Sequence, residues 1–162
     1  MNAAAIVYTS QTGFTARYAA LLAERTGLPC RPLKEAAALP RGTAVIYLGW
    51  LCAGGIKGLK EARRRFRMAA VCAVGMAAEV EEAKLRRDNR LEGVPLFYLR
   101  GGYAPEKLTG FYRAMMAPMA QLVSRAPAET EADRAMRDAF RDGGDWVSPE
   151  RLAPVLAWLD GD

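Results

Sequence analysis

The chain contains four short apolar runs that have no polar face and are typical of buried strands: Ala3–Tyr8, Ala44–Leu48, Ala69–Val74 and Leu96–Leu99. Helical patterns lie between most of these runs, and such alternation is typical of a parallel sheet covered by helices on both sides. A fifth strand is expected at Cys30–Leu33, at the edge of the sheet, where a proline is tolerated. The pattern therefore predicts an α/β protein with a five-stranded parallel sheet.

The spacing of apolar residues also places the helices. Crossover helices are expected at Thr15–Thr26, which should end at Gly27, and at Gly58–Arg67 and Glu79–Arg90. A short helix capped by Thr130 and Asp133 should run to Phe140, and a closing helix should begin at Ser148 and Pro149.

A methionine-rich helical pattern begins at Leu108 and continues through Met115, Met116 and Met119 to Val123. One interpretation is a core-facing helix that packs on the sheet. The alternative is a pliable apolar surface for a membrane or a hydrophobic substrate, because methionine side chains adapt to many shapes. We expect the helix to face the core and pack on the sheet.

Size and charge limit the class of protein. A chain of 162 residues with 51% apolar and 25% charged residues is typical of one globular domain, here 1–162, and no stretch approaches the roughly 20 apolar residues of a membrane span. No signal peptide is evident, so a cytoplasmic location is expected. Residues 1–128 carry 19 basic and 9 acidic side chains. Such a surface suits an acidic redox partner or anionic lipid, while the absence of a dense basic tract argues against nucleic acid.

The reactive side chains exclude several kinds of chemistry. The chain has no histidine, which removes the commonest general base and the usual metal ligand. Its cysteines, Cys30, Cys52 and Cys72, are far apart in sequence and apolar in setting, so we predict neither a metal site nor a disulfide. Any redox chemistry must then come from a cofactor.

The strongest motif is the hydroxyl loop, which follows the first strand and opens the first helix: Thr9, Ser10, Gln11, Thr12, Gly13, Phe14 and Thr15. Unpaired amides at a helix start attract anions, and hydroxyls add further donors. No lysine follows the glycine, so the loop differs from the GxxxxGK[ST] triphosphate loop. Neutral donors suit a single monoester phosphate.

The hydroxyl loop resembles the [ST]-x-T-G-x-T phosphate loop of flavodoxins, which bind FMN. The resemblance implies a flavodoxin-like three-layer sandwich with strand order 2-1-3-4-5. It also implies that the flavin ring lies between the loops after the third and fourth strands. The residues expected there are Trp50, Leu51, Cys52, Ala53, Gly54 and Gly55 after the third strand, and Gly75, Met76 and Ala77 after the fourth.

The last third of the chain is similar to the menaquinone-dependent protoporphyrinogen dehydrogenase branch of that family, through Gly101-Gly102-Tyr103, the methionine-rich helix and Asp145-Trp146. The resemblance implies an FMN-dependent oxidoreductase acting in electron transfer or on a small organic substrate such as a quinone or porphyrinogen. It also implies Tyr103 near the flavin and peripheral membrane contact. Alternatives are a non-catalytic electron carrier and a flavodoxin-like module without flavin. Candidate anion contacts are Lys57, Lys60 and Arg100; no acid or base is assigned.

Overall fold

The computed structural model describes residues 2–161. Its strands are β1 (Ala5–Thr9), β2 (Cys30–Pro32), β3 (Ala44–Cys52), β4 (Gly55–Ile56), β5 (Arg67–Gly75), β6 (Leu96–Arg100), β7 (Gly102–Tyr103) and β8 (Gly144–Asp145). Its α-helices are α1 (Phe14–Thr26), α2 (Leu59–Arg63), α3 (Glu82–Asn89), α4 (Gly110–Arg125), α5 (Glu131–Asp142) and α6 (Ala153–Gly161). Short 3₁₀ helices span Leu33–Ala38, Pro105–Lys107 and Pro149–Leu152.

The central sheet has the order β2-β1-β3-β5-β6, and all four of these pairings are parallel. Strands β5 and β6 are the fourth and fifth strands of the predicted sheet, so the predicted order is confirmed. The short β4 is an addition that pairs antiparallel with the end of β3. The architecture is a mostly parallel α/β sheet flanked by helices, consistent with a flavodoxin-like sandwich.

Alternate residues of each strand face opposite layers, as the pleat requires. On one face, Val7 and Tyr47 belong to an apolar cluster that includes Phe66 and residues of α2 and α3. On the other face, Ile6 and Ile46 pack with α1, α6 and the turn before α6. Both faces of the sheet are therefore already covered by these helices.

Strand β3 is longer than predicted. It was expected to end at Leu48, with a loop from Gly49 to Gly55, but it continues to Cys52 and turns back into β4. The turn residues Ala53 and Gly54 have φ of 49° and 80°. Positive φ at both central residues is the mark of a type I′ hairpin turn, whose twist matches that of the flanking strands.

Two predicted caps are confirmed, and two predicted helices are shorter than expected. Gly27 ends α1 with a φ of 72°, and its amide donates to the Ala23 carbonyl. The Thr130 hydroxyl accepts from the Asp133 amide at the start of α5, while the Asp133 carboxylate accepts from the Thr130 amide. Helix α2 covers only the first half of the predicted segment Gly58–Arg67, and α3 begins three residues later than predicted.

The methionine-rich helix α4 does not pack on the sheet, so the core-facing interpretation is wrong. No residue of α4 is buried, and the side chains of Phe111 and Leu122 are 72% and 71% exposed. Helices α4 and α5 form a hairpin inserted between β7 and β8, which pair antiparallel through Gly102 and Asp145. Helix α4 lies outside because α1, α2, α3 and α6 already cover the sheet. Among residues 2–161, no helix combines the length and apolarity of a membrane span.

Candidate functional site

A cavity of about 250 Å³, here called the edge cavity, opens at the carboxyl ends of β1, β3 and β5. This is the edge where doubly wound sheets bind ligands. The hydroxyl loop, the ends of β3 and β5 with the turns that follow them, and β7 contribute Ser10, Gln11, Thr12, Phe14, Thr15, Trp50, Leu51, Cys52, Ala53, Val74, Gly75, Met76, Gly102 and Tyr103. The inserted segment contributes the roof, which consists of Leu108, Tyr112, Met115, Met116, Met119 and Phe140.

An open cleft of about 790 Å³, here called the edge cleft, adjoins the cavity. The two spaces share the side chains Ser10, Gln11, Trp50 and Tyr112. The cleft also has charged lining residues: Lys34, Glu35, Lys57 and Glu61. The edge cavity, by contrast, is lined by no charged side chain of the described residues. The site thus joins an apolar chamber to a polar, open entrance.

Most of the residues predicted from the sequence come together around these spaces. Thr9 and Gly13 line the cleft but not the cavity. Gly54, Gly55 and Ala77 line neither space. Gly54 instead forms the hairpin turn and Gly55 belongs to β4, while the Ala77 carbonyl accepts a hydrogen bond from the Tyr98 hydroxyl at 2.6 Å.

The helix start in the hydroxyl loop is left uncapped. Gly13 is the N-cap of α1, with a φ of 102°, and no side chain caps the helix. The first helical bond runs from the Arg17 amide to the Gly13 carbonyl, so the amides of Phe14, Thr15 and Ala16 have no acceptor within the helix. No acidic residue lies in this first turn. These features favour an anion at the helix start.

Two hydroxyls of the loop are engaged inside the protein. The Ser10 hydroxyl accepts from the Gly13 amide at 3.2 Å, which closes the loop. The Tyr47 hydroxyl donates to the Lys57 carbonyl at 2.6 Å, so in its 2.8 Å contact with Thr9 the threonine hydroxyl is the donor. Burial raises the pKa of Tyr47 to about 12, so this tyrosine stays protonated at neutral pH. Thr9 therefore anchors the loop to β3.

The β3–β4 hairpin is held by Asn89 of α3. Its side-chain oxygen accepts from the Ile56 amide at 2.8 Å, and its side-chain nitrogen donates to the Gly54 carbonyl at 2.9 Å. Ala53, at the rim of the cavity, has a φ of 49°, which costs a non-glycine residue about 1–2 kcal/mol. Asn89 thus clamps the strained turn that follows Trp50.

The loop after β5 is held by side chains from β6. The Arg100 guanidinium donates from Nε to the Met76 carbonyl at 3.1 Å and stacks 3.8 Å from the centre of the Trp146 ring. Arg100, predicted as an anion contact, therefore binds the protein itself. Lys60, also predicted as an anion contact, is exposed and lines neither space. Of the three predicted anion contacts, Lys57 alone lines the cleft.

The roof was missed as part of the site. It is connected to the rest of the protein by aromatic and polar contacts: Tyr112 packs edge-on against Trp50 with ring centres 5.0 Å apart, and Phe140 packs against Tyr103 at 5.3 Å. The Gln11 amide donates to the Thr109 hydroxyl at 3.2 Å. The sequence feature that could have identified the roof was the methionine stripe, under its alternative interpretation as an adaptable apolar surface.

No protein-family model, no curated protein and no solved structure matches the chain.

Proposed function

We propose that the chain binds FMN non-covalently in the edge cavity and acts as an oxidoreductase on a small organic substrate. One observation carries the proposal: the hydroxyl loop, the end of β3 and the end of β5 surround a single apolar cavity at the carboxyl edge of a parallel sheet. These are the three segments that the resemblance to flavodoxins assigns to the phosphate and the flavin ring.

The residues present fit such a ligand in both charge and polarity. The uncapped start of α1 offers amides to one phosphate, and no lysine is present in the loop for a longer phosphate chain. The apolar lining suits a large aromatic ring. The cavity is slightly smaller than the roughly 300–1,000 Å³ of most ligand pockets, and the adjoining edge cleft supplies further space.

When bound, FMN supplies the capacity to accept and donate electrons. The chain's own residues bind, orient and shield. The amides of the α1 start and the Thr12 hydroxyl would hold the phosphate, Trp50 would offer an aromatic wall, and the roof would exclude water. No side chain is assigned as a general acid or base.

The roof favours a substrate-converting enzyme over a simple electron carrier. Helix α4 contributes three methionines to the cavity lining, and methionine adapts its shape to different apolar molecules. A largely apolar substrate, with quinones and porphyrinogens as first candidates, would therefore bind against these methionines, beside the flavin. Turnover of such a substrate by the FMN-loaded protein distinguishes an enzyme from a carrier, which passes electrons only to a protein partner.

The test is a titration of the purified protein with FMN and with riboflavin, followed by quenching of flavin fluorescence. We expect saturable binding in which FMN binds more tightly than riboflavin, because only FMN carries the phosphate. Equal affinity would mean that the hydroxyl loop holds no phosphate, and absence of binding would overturn the proposal.

Thr12 provides a matched pair of variants, since it lines the cavity at the loop. A new carboxylate 4 Å from the phosphate costs about 1 kcal/mol in water and about 4 kcal/mol at an effective dielectric constant of 20. Thr12→Glu should therefore weaken FMN at least about fivefold while riboflavin binding changes little. Thr12→Gln, of similar size but neutral, is the control, and an equal loss in both variants would contradict a charge effect.

A further inference from the structure

The edge cavity has an uncharged lining, and two basic side chains lie close behind that lining. None of its described lining residues is charged, so the sign of the potential inside is set by charged groups just beyond the wall. Arg100 lies behind the β5 loop, where its guanidinium is bound to the Met76 carbonyl and stacked on Trp146. Lys57 lies at the wall between the cavity and the cleft.

The position of Lys57 is fixed by its neighbours. Its amide donates to the Trp50 carbonyl at 3.0 Å, and its carbonyl accepts from the Tyr47 hydroxyl at 2.6 Å. Its ammonium nitrogen lies 5.8 Å from the centre of the Trp50 ring and 5.7 Å from that of Tyr112. Both distances are within the range of cation–π attraction, which holds the ammonium against the two rings that form the wall.

We propose that Lys57 raises the reduction potential of flavin bound in the edge cavity. The inference rests on the proposed function. Two-electron reduction of FMN at neutral pH takes up two electrons and one proton, so the ring gains one negative charge. A fixed ammonium just outside an uncharged wall stabilises that charge more than it stabilises the neutral, oxidised ring.

The other charged residues of the edge cleft do not replace this contribution. Glu35 and Glu61 act in the opposite direction, and Lys34 offsets only one of them. Lys57 faces both the Trp50 ring and the Tyr112 ring, and among the described residues no cation–π contact joins Lys34 to either ring. Lys57 is therefore the cation of the edge cleft best placed to act through the wall, as a residue that tunes the cofactor.

The experiment compares Lys57→Met, which removes the charge with an unbranched side chain of similar length, with Lys57→Arg, which keeps the charge. The measurement is the midpoint potential of the bound flavin, from equilibrium titration with dithionite against a reference dye. We expect Lys57→Met to lower the affinity for reduced relative to oxidised FMN about tenfold, a shift of about 30 mV for a two-electron couple. Lys57→Arg should retain the wild-type potential.

Arg25→Met serves as a control for loss of a positive charge, because Arg25 lies in the last turn of α1, away from the hydroxyl loop. This variant should leave the potential unchanged. If Lys57→Met proves unstable in thermal unfolding, Lys57→Gln replaces it. Bound FMN with the same potential in wild type and the neutral variants would overturn this inference alone, whereas failure of the wild type to bind FMN would overturn the proposed function with it.

Discussion

Gly58 connects β4 to α2 and lies against two residues that anchor the hydroxyl loop. Its φ is 78°, in the left-handed region. A Cβ atom at this position would overlap the Tyr47 hydroxyl and lie 2.5 Å from Oγ1 of Thr9. Gly58→Ala therefore strains the backbone and displaces the hydroxyl that joins Thr9 to the Lys57 carbonyl.

The free-energy costs of the strained backbone and of the displaced hydroxyl can be estimated separately. A non-glycine residue in the left-handed region costs about 1–2 kcal/mol. Displacing the Tyr47 hydroxyl breaks its hydrogen bonds to Thr9 and Lys57, each worth about 1 kcal/mol. The free energy of unfolding should thus fall by about 3–4 kcal/mol. At about 2–4 °C for each kcal/mol in a chain of this size, the melting temperature should fall by roughly 6–16 °C.

Thermal unfolding followed by circular dichroism measures the loss. Gly42→Ala is the matched control, because Gly42 has a φ of 82° but a Cβ atom there meets nothing within 4 Å. It should lose only the backbone part, about 1–2 kcal/mol. Adding Tyr47→Phe to Gly58→Ala removes the overlapping oxygen, so the double variant should lose less than the sum of the single changes. Equal losses for the Gly58 and Gly42 variants would refute the close-approach argument.

Two further predictions concern ionisable side chains. Burial raises the pKa of Tyr47 and Tyr98 from 10.0 to about 12, so the folded protein keeps protons that the unfolded chain loses. Their contribution to the free energy of unfolding should be constant below pH 10 and lost as the pH rises towards 12. In urea unfolding, Tyr47→Phe should therefore lose less stability over this pH range than the wild type. Iodoacetamide followed by mass spectrometry should label Cys52, which lines the cavity, more slowly when FMN is added. Labelling of Cys30 should not change, and Cys72, whose pKa is raised to about 12 by burial, should stay unlabelled. Absence of an FMN effect at Cys52 would contradict the proposed site.

The sheet and the hydroxyl loop could be predicted because their signals are local. The apolar run at Ala69–Val74 needs only its own residues to indicate a buried strand, and a loop between a strand and a helix indicates an anion site by its own amides and hydroxyls. The continuation of β3 through Trp50 could not be predicted, since Gly49 and Gly54 look like the punctuation of one loop. Gly49 in fact gives space to Ile56 of the returning strand.

The roof could not be predicted for a different reason. The apolar spacing of α4 is the same whether the helix packs on a sheet or covers a ligand cavity. The choice depends on whether space remains on the sheet, which is set by distant residues such as Phe66 on one face and Leu152 on the other. Because both faces are filled, the methionine stripe has no sheet surface left and lines the edge cavity instead.

The start of α1, where we propose that the phosphate binds, is also connected to the segment that carries the roof. Phe14 packs on Gly102 of β7, where an added Cβ would lie 2.5 Å from the ring atom Cε1. Arg17 pairs with Asp145 of β8 at 2.6 Å, but both side chains are about half exposed, so this ion pair contributes less than about 1 kcal/mol. The packing of Phe14 on Gly102 is a connection that does not depend on this ion pair. Since Gly102 begins the strand pair that carries α4 and α5, the same uncapped turn of helix that we propose as the phosphate site also supports the segment whose methionines line the cavity.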